Sequence, residues 1–156
     1  MALKPVAIEC KEREELKLHG LWVRSNVYSW ESEWENLMML YTRKSGDQGK
    51  RYVILENTDA KGNCDMFVGG HTPGDGTGEF TVPAGQYASA VVTPKLGFLW
   101  GRAIDNANLY LRDEWSKANG IKLDDFRMEI RDMLGKQPNI EILYRILPEE
   151  ETETAE

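Results

Sequence analysis

One order of elements, read twice along the chain, limits what this sequence can fold into: strand, helix, strand, strand, and then the same again. Trp30, Trp34, Leu37, Met38 and Tyr41 carry the first helix, spaced so that all five fall on one helical face. Ser32, with Glu35 three residues on, has the form of a capping box at its start, and Gly46 and Gly49 with Asp47 end it. Before this helix, residues 6–12 and 16–23 read as one extended region with an irregularity at Glu14 and Glu15. After it, the β-rich runs 52–56 and 64–69 read as a hairpin across the polar turn 57–63. The second unit opens with a strand at 79–82, a turn or bulge at Pro83-Ala84-Gly85 and a long strand at 86–92. Its helix keeps Trp100, Ala103, Ile104, Ala107, Leu111, Trp115 and Ala118 on one face, with Asn119-Gly120 as a left-handed stop. Strands at 126–132 and 140–147, joined through Gly135 and Pro138, complete it.

The halves correspond in element type and spacing. Residues 64–68 take the place of 140–144, so that Asp65 matches Glu141, and 52–56 take the place of 128–132. Neither unit can bury its apolar face well alone. Joined, they predict an α+β, pseudo-twofold domain built from a duplicated strand-helix-strand-strand unit, with a central ligand cleft where the halves meet.

A length of 156 residues suits one such domain at 1–148, followed by an acidic tail, 149–156, expected to be disordered. The 19 Lys and Arg are scattered among 26 Asp and Glu, which argues against nucleic-acid binding as the main task. No apolar run is long enough to span a bilayer, and residues 1–13 lack the apolar core of a signal peptide. The expected location is therefore the cytoplasm, with no membrane partner, and Cys10 and Cys64 read as reduced thiols. His19 and His71 have no acid or cysteine at ligand spacing, so no metal is expected. The glycine-rich stretch 69–78 lacks the lysine and following helix of a phosphate loop; it reads as a hairpin loop or a flap over the cleft. No Ser-His-Asp or Cys-His arrangement stands out, no catalytic residue is singled out, and no cofactor is implied.

The Cys64-Asp65 strand, Val82-Pro83-Ala84-Gly85-Gln86-Tyr87-Ala88, Trp100 near the start of the second helix, Met128-Glu129-Ile130, and Ile140-Glu141-Ile142 running to Pro148 follow a familiar order. Across 6–148 the chain resembles the GyrI-like family, the AraC-type or BmrR-like effector-binding domains related to multidrug-sensing transcription regulators. The resemblance implies the duplicated fold and a cleft lined by aromatics with an acid on the last strand, here Glu141. In the drug-sensing relatives that acid holds hydrophobic cations, and a carboxylate among aromatic faces suits a delocalised positive charge. Standalone members imply two alternatives: hydrolysis of strained cyclopropane rings in electrophilic toxins, with burial raising a cleft glutamate toward neutrality for acid–base work, or modulation of DNA gyrase as a protein-interaction module. The chain departs from the pattern at Arg131, where relatives often carry Tyr, and at Arg145, where they carry Pro. Either arginine is in position to neutralise a cleft carboxylate.

The leading expectation is a standalone domain that senses or sequesters a hydrophobic, cationic or neutral, small molecule, with no direct nucleic-acid contact. Its candidate ligand-binding residues are Glu141, Trp100, Tyr110, Glu129, Asp65 and Trp22, each with a plainer alternative. Glu141 alternates against Ile140 and Ile142 and would otherwise face solvent. Glu129 shares a strand face with Arg131 and would otherwise form an exposed ion pair. Asp65 is either a second acid dividing acid and base roles with Glu141 or a hydrogen-bonded strand aspartate. Trp100 heads an apolar helical stripe and Tyr144 faces with Ile140 and Ile142, so both also suit the core; Trp22 is a wall or core residue, and Tyr110 lies off the stripe.

Overall fold

The computed structural model describes residues 4–92, 100–132 and 138–148. The acidic tail 149–156 and the turn at Gly135 lie outside the described residues. In chain order the elements are β1 (Glu9–Arg13), β2 (Leu16–Asn26), α1 (Glu31–Ser45), β3 (Arg51–Glu56), β4 (Asn63–Gly70), β5 (Gly78–Val82), β6 (Gly85–Val92), α2 (Trp100–Leu109), β7 (Leu123–Asp132) and β8 (Asn139–Ile146). Helix α2 runs on through a π-helical stretch, Tyr110–Trp115, and a last turn, Ser116–Ala118. The strands pair antiparallel in one sheet of order β1-β6-β8-β7-β3-β4-β2-β5.

Two expectations change here. The region 6–23 is not one irregular strand: β1 pairs with β6, whereas β2 pairs with β4 and β5 on the far side of the sheet. Glu14 and Glu15 are the crossing between them. Helix α1 starts at Glu31 with Trp30 at its cap and no side-chain capping bond, so Ser32 lies in the first turn rather than ahead of it. The stops are as expected, with Gly46 at φ 73° and Gly120 at φ 64°, left-handed conformations that favour glycine.

The two residue correspondences drawn between the halves also conflict. They would match the pair Glu56–Asp65 to Asp132–Glu141, but Glu141 pairs with Ile130 and Asp132 with Asn139. If β4 and β8 are aligned at Asp65 and Glu141, β3 and β7 are out of step by two residues.

The connections force the sheet to curl. Strands β5 and β6 are six places apart in the sheet, which laid flat is about 29 Å, yet the link from Val82 to Gly85 reaches at most about 11 Å. The link from β1 to β2 imposes the same closure. One face of the sheet is therefore an interior, filled by Leu18, Tyr52, Ile54, Phe67, Val82, Tyr87, Phe126, Met128, Ile130 and Leu143, all buried. Closure is visible in the ring contacts: Phe80 on β5 stacks on Phe126 of β7 at 6.1 Å, and Tyr87 on β6 meets Phe126 edge-on at 6.3 Å.

Period-two alternation sends the other residues outward, where the helices cover them. Val53, Leu55, Cys64, Met66 and Val68 pack under α1 with Trp30, Trp34, Leu37 and Met38. Ala88, Ala90, Val92, Ile140, Ile142 and Tyr144 pack under α2 with Ile104, Ala107 and Leu111. Each helix thus covers one half of the outer face. The 69–78 stretch, considered as a flap, is tied down against the end of α1: Tyr41 donates to the Thr72 carbonyl at 2.7 Å, and Asp47 accepts from the backbone N–H groups of His71 and Thr72, each at 3.2 Å.

Candidate functional site

Between the two helix-covered clusters runs β7, and from Arg127 onward its outward side chains belong to neither. Arg127, Glu129 and Arg131 make up this row, and all three are charged; the two arginines lie against the Trp30 and Trp34 rings at the edge of the α1 stripe. Pairing places Leu55, Arg127 and Tyr144 side by side on β3, β7 and β8. These three floor a groove of about 940 Å³. One wall is the side of α2 and its continuation, with Ile104, Asp105, Asn108, Leu109, Arg112 and Ser116; the facing wall is Tyr28 and Trp30 at the start of α1.

Arg127, the charged residue of this floor, is paired behind it with Glu129. Glu129 is 1% exposed. Arg127 donates to its Oε2 through Nη2, and Arg131 donates to Oε1 through Nε at 3.0 Å and Nη2 at 2.7 Å. A buried carboxylate is tolerable only with such partners, since stripping its water costs several kcal/mol, by a rough estimate. The Arg131 guanidinium lies 4.0 Å from the Trp34 ring centroid and 5.7 Å from that of Trp30; Arg127 lies 5.4 Å from Trp30. Burial works to lower the Arg127 pKa, but the Glu129 carboxylate outweighs it and the value is raised. Among the described residues, the Arg127 Nε is buried without a hydrogen-bond partner. Burial also raises the Tyr144 phenol, whose hydroxyl donates to Asn108 Oδ1 at 2.9 Å across the groove wall.

The structure does not bring the six expected residues together. Glu141 sits on the opposite, interior face, where its carboxylate accepts from Ser89 Oγ at 2.5 Å and Lys11 Nζ at 2.9 Å. Burial pushes its pKa up, but those two partners outweigh it and hold the value below the ordinary carboxylate range. The raised pKa expected for acid–base work is therefore absent. Asp65 is at the other end of the interior face, about 13 Å away along the strand direction and three strands across. It is engaged with Arg24 at 3.0 Å and Asn57 at 2.9 Å, so the two acids do not form a pair. Trp22 is 43% exposed and rests edge-on against Phe67 and Phe80. Trp100 packs against the α2 cluster, and Tyr110 is half-buried at the start of the π-helical stretch.

Glu129 does not line the groove either, but it is joined to Arg127, which does. The exposed ion pair suggested by its spacing to Arg131 is a buried cluster. Arg131 does neutralise a carboxylate, but that of Glu129, while Arg145 pairs with Asp124 at 3.3 Å; Lys11, not an arginine, meets Glu141. Trp30, Arg127, Asn108 and Arg112 were not legible as groove residues. Tyr144 is buried as expected and lines the groove as well.

A second pocket of about 440 Å³ opens where the curled sheet closes, lined by Glu15, Glu56, Phe80, Phe126 and Arg145 among others. Burial, with Asp65 next, raises the Glu56 pKa there. Among the described residues no group of three His, Cys, Asp or Glu is disposed to hold a metal ion, and no helix is long and apolar enough to cross a membrane.

No protein-family model and no curated protein sequence matches the chain. Solved structures do. An integron cassette protein from the mobile metagenome of Vibrio cholerae is 13% identical with a TM-score of 0.67, over 90% of this chain and 95% of that one. SAV2435, solved bound to tetraphenylphosphonium, is 10% identical with a TM-score of 0.64, over 90% and 94%. The EcmrR C-terminal domain is 13% identical with a TM-score of 0.63, over 92% and 99%. At such identities the likeness is one of fold, and it agrees with the order of motifs read from the sequence: the chain has the fold of the GyrI-like effector-binding domains.

Proposed function

We propose that this chain binds a small hydrophobic molecule in the groove between α1 and α2. One observation carries the reading. Leu55, Arg127 and Tyr144, side by side on three neighbouring strands, floor a groove of about 940 Å³ between the helix-covered halves, within the range that holds a drug-sized molecule. Leu55, Ile104, Leu109, Tyr28, Trp30 and Tyr144 offer apolar and aromatic surface, Arg127 and Asn108 offer polar groups at the floor, and the rim is charged, with five aspartates beside Arg112 and Lys122. SAV2435, of the same fold, was solved with a hydrophobic cation, which supports small-molecule binding as the role of the fold.

The duplication belongs to this reading. The first unit lies in the sheet as β2-β4-β3 and the second as β6-β8-β7, the same order about an axis between β3 and β7, so the groove would follow the seam of two repeated halves. Hydrolysis is disfavoured because Glu141, the acid assigned to it, has a lowered pKa and Glu129 is bound to two arginines.

Calorimetry against a panel of planar aromatic compounds tests the proposal. Leu109→Asp, at an exposed wall position, should weaken binding by about tenfold, because burying a leucine contributes about 1.5–3 kcal/mol. Glu141→Gln should leave it unchanged. Loss of binding in Glu141→Gln would move the site to the interior face, and no binding by any member to folded protein would end the proposal.

A further inference from the structure

We infer that two copies of this chain pair edge to edge through β2, continuing one sheet into the other about a twofold axis at Val23. Strand β2 outruns the strands that flank it. On one side β4 pairs with it over His19–Asn26; on the other β5 covers only Leu16–Gly20. From Leu21 to Asn26 the side that β5 leaves open has no backbone hydrogen-bond partner among the described residues. A strand edge of this kind is a template for another strand, and proteins commonly blunt it with proline or lysine. This run, Leu21-Trp22-Val23-Arg24-Ser25-Asn26, holds neither, and its one charge, Arg24, is already bound to Asp65 at 3.0 Å. Trp22, on the same face as Arg24, is 43% exposed and has surface left to cover.

The run is complementary to itself in one register. Opposed residues of an antiparallel pair lie on the same face, so a twofold axis in a continuous sheet passes beside a residue, not between two. An axis at Trp22 would set Arg24 against the partner's Gly20, whose edge is taken by Gly78. An axis at Arg24 would set two guanidinium groups directly opposite, which is repulsive. At Val23 the pairing runs from Leu21 to Ser25 and stops where β5 begins in the other copy. Trp22 then faces the partner's Arg24, and the same pair recurs across the axis. This cation–π contact leaves the bond from Arg24 to Asp65 in place. On the other face Val23 meets the partner's Val23, and Leu21 meets the partner's Ser25.

Sedimentation equilibrium of the full chain tests the pairing, and two substitutions test its register. The wild type should associate reversibly to twice the chain mass at concentrations up to about 1 mM, since a short strand interface gives a weak dimer. Trp22→Lys sets an ammonium against the partner's Arg24 and should weaken association by about tenfold or more. Trp22→Glu sets a carboxylate there instead and should stay within about threefold of wild type. Crosslinking gives an independent reading. In a Cys10→Ser background, Val23→Cys should form a disulfide-linked dimer on mild oxidation, because the two thiols face each other across the axis. Leu21→Cys, opposite the partner's Ser25, should not. The inference is overturned if the wild type keeps the mass of one chain throughout that range or if both Trp22 variants lose association alike. It is equally overturned if Val23→Cys crosslinks no faster than Leu21→Cys.

Discussion

Glu129 meets two guanidinium groups at a position 1% exposed, and such a cluster is unforgiving of partial removal. Glu129→Gln leaves Arg127 and Arg131 without their counter-charge and should destabilise the fold by about 3–5 kcal/mol in urea denaturation. Adding Arg131→Met to that variant should recover part of the loss; equal destabilisation of the single and double variants would show that the arginines are indifferent to the carboxylate. Asp47 behaves differently. Burial tends to raise its pKa, but the backbone N–H groups of Gly49 at 2.7 Å and Thr72 at 3.2 Å outweigh it and lower the value to about 2. A depressed carboxyl pKa adds stability that is complete above the unfolded value near 4 and disappears as pH falls through about 2. Asp47→Asn should therefore cost about 2 kcal/mol at pH 7, and the gap to wild type should close between pH 4 and 2. A gap that stays constant over that window would remove the charge from the explanation.

At the scale of elements, local pattern was informative where one face of one segment decides the outcome. The stripe from Trp30 to Tyr41 forms α1, the hairpin of β3 and β4 pairs as expected, and Asn119-Gly120 ends the second helix. Alternation on β8 also held, with Tyr144 outward in the α2 cluster and Leu143 inward. The separation of β1 from β2 was not legible, because an irregularity at Glu14 and Glu15 suits a bulge within one strand as well as a crossing between two, and only pairing with distant strands divides them. Close approach of β2 and β4 gives a sharper test. A Cβ at Gly69 would come within 2.1 Å of the His19 carbonyl oxygen, whereas one at Gly78 would meet nothing within 4 Å. Gly69→Ala should destabilise by about 2–4 kcal/mol and Gly78→Ala by less than about 0.5 kcal/mol, read from the shift in urea midpoint. Similar effects at both would contradict the register of this strand pair.

For the whole molecule, the order of motifs was enough for the fold, but the site depends on facts a linear reading does not hold. Which strand lies between the helices follows from sheet order, and only that order makes Leu55, Arg127 and Tyr144 neighbours from three separate segments. Arginine on a strand reads as surface by composition, so Arg127 carried no signal. Glu141 drew attention for its place on the last strand, and period-two alternation then put it on the face away from the groove. The central claim is that the seam over β7 is where a ligand sits. It is tested most directly by amide NMR during titration with 2-acetylnaphthalene. The account predicts saturable shifts centred on Leu55, Arg127, Tyr144, Asn108 and Trp30. Shifts centred on Lys11, Tyr52, Ser89 and Glu141, with the groove residues unmoved, would contradict it.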